Sequence, residues 1–145
     1  MRKLDTDAYI STLRDLVNQG KEVRLIISGS SMTPFLVHER DSILFSKPDS
    51  PLKRGDMVFY QRENGQFVMH RILHVKPEGL YIIGDAQIEI EGPVNPSCVF
   101  ARITKVNRKG KWIGPGQFWW WFFQHIWLSI IPLRPYILKI FSLIK

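Results

Sequence analysis

A single cysteine, Cys98, is all the thiol chemistry available to this chain of 145 residues. One thiol makes no intramolecular disulfide, no Cys-x-x-Cys redox pair and no cysteine-based zinc knuckle, so stability has to come from packing. Acidic residues are scarce as well. Thirteen Asp and Glu oppose twenty Lys and Arg, and the formal net charge is +7. From residue 112 to residue 145 there is no Asp or Glu at all. An excess of cations favours anionic partners, either nucleic acid or lipid head groups. The basic residues are dispersed along the chain rather than gathered in a stripe, and nucleic acid is not expected. An apolar run near the N-terminus is missing too. Met1-Arg2-Lys3 is followed by Leu4-Asp5-Thr6-Asp7, without the apolar segment of a secretory signal, so a signal peptide is not expected.

What is present fits a folded protein. Hydrophobic residues make up 45% and charged residues 23%, which excludes disorder and low complexity as descriptions of the whole chain. The length suits one compact domain with a short appendage. Three segments of different texture are expected. Over 1–21, Ile10, Leu13, Leu16 and Val17 recur at helical spacing, and Gly20 is placed to end a short amphipathic helix. Over 22–111, short apolar runs alternate with turns, which predicts a β-rich domain with strands at 23–28, 42–46, 57–61, 66–75, 80–83 and 99–107. Asn64-Gly65 signals a hairpin between the third and fourth strands, Lys76-Pro77-Glu78-Gly79 turns the fourth into the fifth, and a meandering antiparallel sheet follows. Pro93 and Pro96 make 91–97 read as a loop.

The third segment, 112–145, opens on Gly114-Pro115-Gly116 and continues Phe118-Trp119-Trp120-Trp121-Phe122-Phe123. The apolar stretch to Ile131 is shorter than the roughly 20 residues a spanning helix needs. Tryptophan favours the membrane interface and basic residues favour anionic head groups. The expectation is therefore a monotopic tail, helical over 118–131, broken over 132–135 and helical again over 136–144. The competing reading is a helix packed on the domain or in a dimer.

Chemistry is concentrated in a few places. Ser28-Gly29-Ser30-Ser31-Met32-Thr33-Pro34 follows the first strand, and a serine at a strand-to-turn transition presents its hydroxyl with little cover. An ordinary Ser/Gly turn has the same composition. A serine needs a base, and His70 stands in Val68-Met69-His70-Arg71-Ile72, a β-forming run. An imidazole with a pKa of about 6.5 can accept a proton at neutral pH. His74 shares that strand face by the period of two and competes for the role. His38 lies in a polar turn and His125 in the tail, so both are weaker candidates. Asp85 after Gly84, then Glu89 and Glu91, are the acids available to orient an imidazole, each of which also suits an ordinary turn.

Taken in order, Gly29-x-Ser31-Met32-x-Pro34, Leu52-Lys53-Arg54-Gly55-Asp56-Met57-Val58, Val68-Met69-His70-Arg71-Ile72 and Ile83-Gly84-Asp85-Ala86 resemble the successive motifs of the signal peptidase I and LexA-type serine peptidase superfamily. The resemblance covers about residues 23–107. Its His-Arg pair resembles the Ser/His branch, the archaeal and endoplasmic-reticulum type, and selects His70 over His74. It implies Ser31 as nucleophile, His70 as base and Asp85 as the third member, with Glu91 as competitor, because that branch carries its Asp beyond the Gly-Asp pair, near Glu91 here. Signal peptidases commonly place a serine two residues before the nucleophile, where this chain has Gly29, as in the LexA-like pattern. Ser30, the Ser31 backbone N–H and the adjacent Met32 are then expected around the oxyanion and substrate.

The fold so implied is mainly β, a signal-peptidase-like domain between an N-terminal amphipathic helix and an aromatic helical tail. The expected function is a serine endopeptidase that cleaves signal or leader peptides near a membrane. A leader-processing peptidase for small cytosolic peptides and a catalytically silent membrane- or partner-binding module of the same fold are the alternatives. No metal ion or organic cofactor is implied.

Overall fold

The computed structural model describes residues 3–27, 32 and 34–144. Helix α1 (Lys3–Asn18) buries Ile10, Leu13 and Val17 on one stripe, the spacing that turns one face of a helix towards a core. It ends where Gly20 takes a φ of 86° and its N–H reaches Val17 O at 2.9 Å, a glycine stop of the expected kind.

Eight strands follow: β1 (Val23–Ile26), β2 (Ser42–Ser46), β3 (Met57–Gln61), β4 (Phe67–Lys76), β5 (Gly79–Ile83), β6 (Glu91–Val94), β7 (Val99–Arg108) and β8 (Lys111–Ile113). They form a single antiparallel sheet in the order β1-β2-β7-β3-β4-β5-β6, with β8 paired to β7. The protein is thus mainly β, as its alternating runs predict. Strand β6 corrects the expectation of a loop at 91–97. It lies at the sheet edge and pairs with β5 through Leu80↔Val94 and Ile82↔Glu91, where a proline deprives no interior ladder of a donor. The short β8 was not anticipated. Lys109 (φ 54°) and Gly110 (φ 80°) fold it back onto β7.

Because strand side chains alternate between faces, the sheet carries two separate apolar layers. One contains Ile43, Phe45, Met57, Phe59, Ala101 and Ile103, and it also takes in α1 and the C-terminal segment. The other contains Val58, Tyr60, Val68, Ile72, Leu80 and Ile82. The β3–β4 hairpin determines which residues share a layer. Arg62 N–H donates to Gln66 O at 2.8 Å, Gly65 N–H donates to Arg62 O at 2.9 Å, and Gly65 has a φ of 89°. This is a three-residue loop with its last residue left-handed. Val58 consequently lies opposite His70 and Met57 opposite Arg71.

The C-terminal segment is not a pendant chain. Helix α2 (Phe118–Phe122) runs into a π-helical turn (Phe123–Trp127), and after a 3-10 turn (Ile131–Leu133) helix α3 (Arg134–Ile144) leaves in a new direction. The break falls at 130–133, slightly earlier than 132–135, and Pro135 is accepted in the first turn of α3, where its missing N–H costs little. Trp120, Phe123 and Trp127 are buried in the same core as Ile10, Leu13 and Val17, so the three sequence segments share one core.

Contact between the segment and the sheet is close at Gly55, where an added Cβ would overlap the Gln124 side chain and where φ is 94°. Gly55→Ala is therefore expected to cost about 1–3 kcal/mol through overpacking and left-handed strain. The readout is a lower urea midpoint together with an early red shift of tryptophan emission as the C-terminal segment lifts.

Candidate active site

His70 and Arg71 are consecutive on β4 and therefore point to opposite faces of the sheet. His70 lies with Val58, Tyr60 and Ile72, is 5% exposed, and has its ring centroid 6.4 Å from that of Tyr60. Beside it stands a polar network that composition did not reveal. Tyr60 Oη donates to Glu91 Oε1 at 2.8 Å, Arg62 Nε reaches both Glu91 oxygens at 3.2 and 3.1 Å, and Arg62 Nη2 reaches Oε1 at 2.7 Å. Burial, reinforced by the Arg62 charge and opposed in part by Glu91, lowers the His70 pKa to about 4. The imidazole is thus neutral throughout the neutral range. For Glu91, burial would raise the pKa, but hydrogen bonds from Arg62 and Tyr60 and the Arg62 charge outweigh it and hold the group ionised. Burial and the bond to Glu91 push the Tyr60 hydroxyl well up, so it serves as a donor only.

Arg71 occupies the other face. Its Nε and Nη2 donate to Asp85 Oδ1 and Oδ2 at 2.9 and 3.0 Å, and its Nη1 donates to Gly55 O at 3.0 Å. Arg71 is 1% and Asp85 0% exposed. This two-pronged geometry suits the planar guanidinium and satisfies both carboxylate oxygens. The structure therefore places Glu91 in the Tyr60 and Arg62 network beside His70 and pairs Asp85 directly with Arg71. Ile83 lies opposite Arg71, so Asp85, two residues further on, falls on the face of Arg71, a relation that alternation along β5 could have revealed.

His74, a competitor for His70 by the period of two, is separated from it by an irregularity. The β4–β5 register shifts between Ile72 and His74, and His74 is exposed opposite Tyr81. The alternation that would keep the two histidines on one face is broken there. Glu89 is exposed beyond the Gly84 turn.

Ser31 and Ser30 lie outside the described residues. Their described neighbours, Ile27 and Met32, are buried, and Met32 packs with Phe35 in the layer that contains Met57 and Phe59. Leu36 N–H donates to Met32 O at 2.9 Å, and Arg108 Nε donates to Phe35 O at 2.7 Å. The Arg71 guanidinium carbon lies 5.5 Å from the Phe35 ring centroid. The segment after Ser31 is thus fastened on the Arg71 side of the sheet.

The Gly84–Gln87 turn is gripped from outside by the C-terminal segment. Trp127 Nε1 donates to Asp85 O at 2.8 Å, and Arg134 Nη1 donates to Gly84 O and Gln87 O at 2.9 and 2.8 Å. Arg134, which composition marks only as a basic residue of the tail, is fully buried and 5.3 Å from the Trp127 ring. A buried arginine held by carbonyls is structural, because it satisfies three backbone acceptors at once, the third being Trp127 O at 3.3 Å from Nη2. Among the described residues no cluster of three or more His, Cys, Asp or Glu is placed to hold a metal ion. Comparison of the chain with protein-family models and with curated proteins gives no match.

Proposed function

We propose that this chain is a serine endopeptidase of signal-peptidase type, in which His70 accepts the proton of Ser31. The observation that carries the reading is the placement of His70, buried in a strand beside Tyr60, whose hydroxyl is bonded to Glu91, where burial disfavours the charged imidazole. The motif order on either side of it supports the same reading. Ser31 Oγ attacks the peptide carbonyl as its proton passes to the imidazole. The tetrahedral intermediate collapses to an acyl-enzyme ester while His70 returns the proton to the leaving amine. Water, deprotonated in turn by His70, releases the acyl group. The Ser31 backbone N–H, with Ser30, supplies donors to the oxyanion, and the adjacent Met32 is buried in the core. In this reading Glu91, bonded to Tyr60 beside the imidazole, is the acid that acts on His70. Asp85, with both oxygens engaged by Arg71, acts as a positioning residue for the Gly55 and Gly84 turns. The substrate is an extended peptide with small residues near the cut.

A second reading, a catalytically silent binding module, is favoured by one observation. The described neighbours of Ser31 pack on the face of the sheet opposite to His70. A census of protein N-termini in cells making the native chain or Ser31→Ala, with membrane and soluble fractions separated, distinguishes the two. Termini that need Ser31 and follow small-x-small residues in exported proteins are the expected result. Ser31-dependent termini confined to cytosolic peptides would instead make it a leader-processing enzyme. Identical lists from the two chains would overturn the peptidase reading in favour of the module.

A further inference from the structure

The C-terminal helices have two unlike faces. Trp120, Phe123, Trp127 and Leu128 are buried against the domain. Between and beyond them Phe118, Trp119, Trp121, Leu133, Ile140 and Leu143 are exposed. So many exposed large apolar side chains in one short segment are unusual on a protein that meets only water, and such a concentration marks an interaction site. Two properties indicate what covers it. The first is charge. No Asp or Glu occurs from 112 to 145, while Lys139 is exposed on α3, Arg54 hydrogen-bonds Ser129 at 3.2 Å, and Lys53 lines a cleft of about 650 Å³ together with Phe118 and Trp121. Of the acids in that cleft, Asp56 is buried, and Asp49 stands 3.8 Å from Arg102.

The second property is shape. The limbs Phe118–Trp127 and Ile131–Leu143 meet at 96°, and among the described residues no single helix is long and apolar enough to cross a membrane. At 1.5 Å per residue the limbs extend only roughly 15 and 20 Å, against about 30 Å of hydrocarbon. The first limb is moreover held to the domain through Trp127 and the start of the second through Arg134, so neither anchored side can turn to lipid without breaking those bonds.

We infer that the outer face of this bent helix pair is a docking surface for an anionic lipid leaflet, on which the domain rests without crossing it. Aromatic rings enter the head-group region, where their amphipathic edges are favoured, and the lysine and arginine rim meets lipid phosphates. The inference is independent of the peptidase reading.

The test uses the full chain with vesicles of phosphatidylcholine alone or mixed with phosphatidylglycerol, scored by sedimentation. Partition onto the mixed vesicles is expected to be at least tenfold stronger than onto phosphatidylcholine and to weaken with salt. The exposed-site variant Phe118→Ser with Trp121→Ser and Ile140→Ser should lose at least tenfold while keeping its urea midpoint. A second variant, Lys53→Gln with Lys139→Gln, leaves the apolar face intact and should lose the preference for anionic lipid. Quenching of tryptophan by lipids brominated near the head group but not near the chain end is expected for a chain that does not cross. Absence of partition, equal partition onto both vesicle types, or variants that bind as the native chain would overturn the inference. Concentration-dependent dimerisation without vesicle binding would overturn it too and assign the face to a second copy. Ser31→Ala should bind vesicles as the native chain does, so failure of the peptidase reading leaves this result untouched, and the converse holds.

Discussion

Asp85→Ala is expected to lower the stability of the fold by about 3–5 kcal/mol, the range for removing one partner of a buried ion pair. The magnitude follows from what remains. Arg71 would keep its charge on a side chain 1% exposed, with only Gly55 O left of its three described acceptors. Against a total stability of roughly 5–15 kcal/mol for a domain of this kind, the loss is at least about a fifth of the whole. The turn that carries Asp85 also accepts from Trp127 and Arg134, so the C-terminal segment should loosen early. The measurement is urea unfolding followed by tryptophan emission, comparing midpoints at constant slope. The double variant Arg71→Met with Asp85→Leu should recover much of the loss, because an apolar pair leaves no charge uncompensated. A loss below about 1 kcal/mol in the single variant would show that the pair is not buried as described.

His70→Gln is expected to reduce peptide cleavage by about 10²–10⁴, the usual worth of a positioned general base. Its effect on stability has a defined sign. The native imidazole has a pKa of about 4, whereas the unfolded chain protonates near 6.5. Between these values the unfolded state binds more protons, so stability is full above about pH 6.5, falls as pH drops through the window, and levels off below about 4. The integrated loss is on the order of 3 kcal/mol. The glutamine variant does not titrate there and should show a flatter profile from pH 7 to pH 4. Cleavage by the native chain should persist to about pH 5 and fall only as the buried imidazole protonates. A His70→Gln enzyme within threefold of the native rate would remove His70 from the mechanism, and an unchanged stability profile would show that the imidazole is not desolvated.

Much of this protein is legible in its residues. Alternation and turn chemistry mark most of the strands, Gly20 marks the end of α1, and the lack of acids after residue 112 marks the character of the C-terminal segment. These are local properties, decided by side-chain period and backbone preference within a few residues. The four motifs holding Ser31, Arg54-Gly55-Asp56, His70-Arg71 and Gly84-Asp85 are visible for the same reason.

What the residues could not reveal depends on contacts distant in sequence. Asn64-Gly65 announces a hairpin, but a two-residue loop would have paired Phe59 with His70, whereas the three-residue loop pairs Val58 with it. A shift of one residue exchanges the faces of a strand, so the surroundings of His70 depended on a single left-handed glycine. Glu91 joins the Tyr60 and Arg62 network beside His70 because β6 closes the sheet edge, which Pro93 argued against. Asp85 joins Arg71 because β5 sets Ile83 opposite that arginine. The tail proved to be at once packed and exposed, since Trp120, Phe123 and Trp127 found a core while their neighbours did not. The sequence by itself determined most of the elements and the residue types that each presents. Only the tertiary structure decided which side chains meet, because register, edge pairing and the burial of one helix face are properties of the assembled sheet.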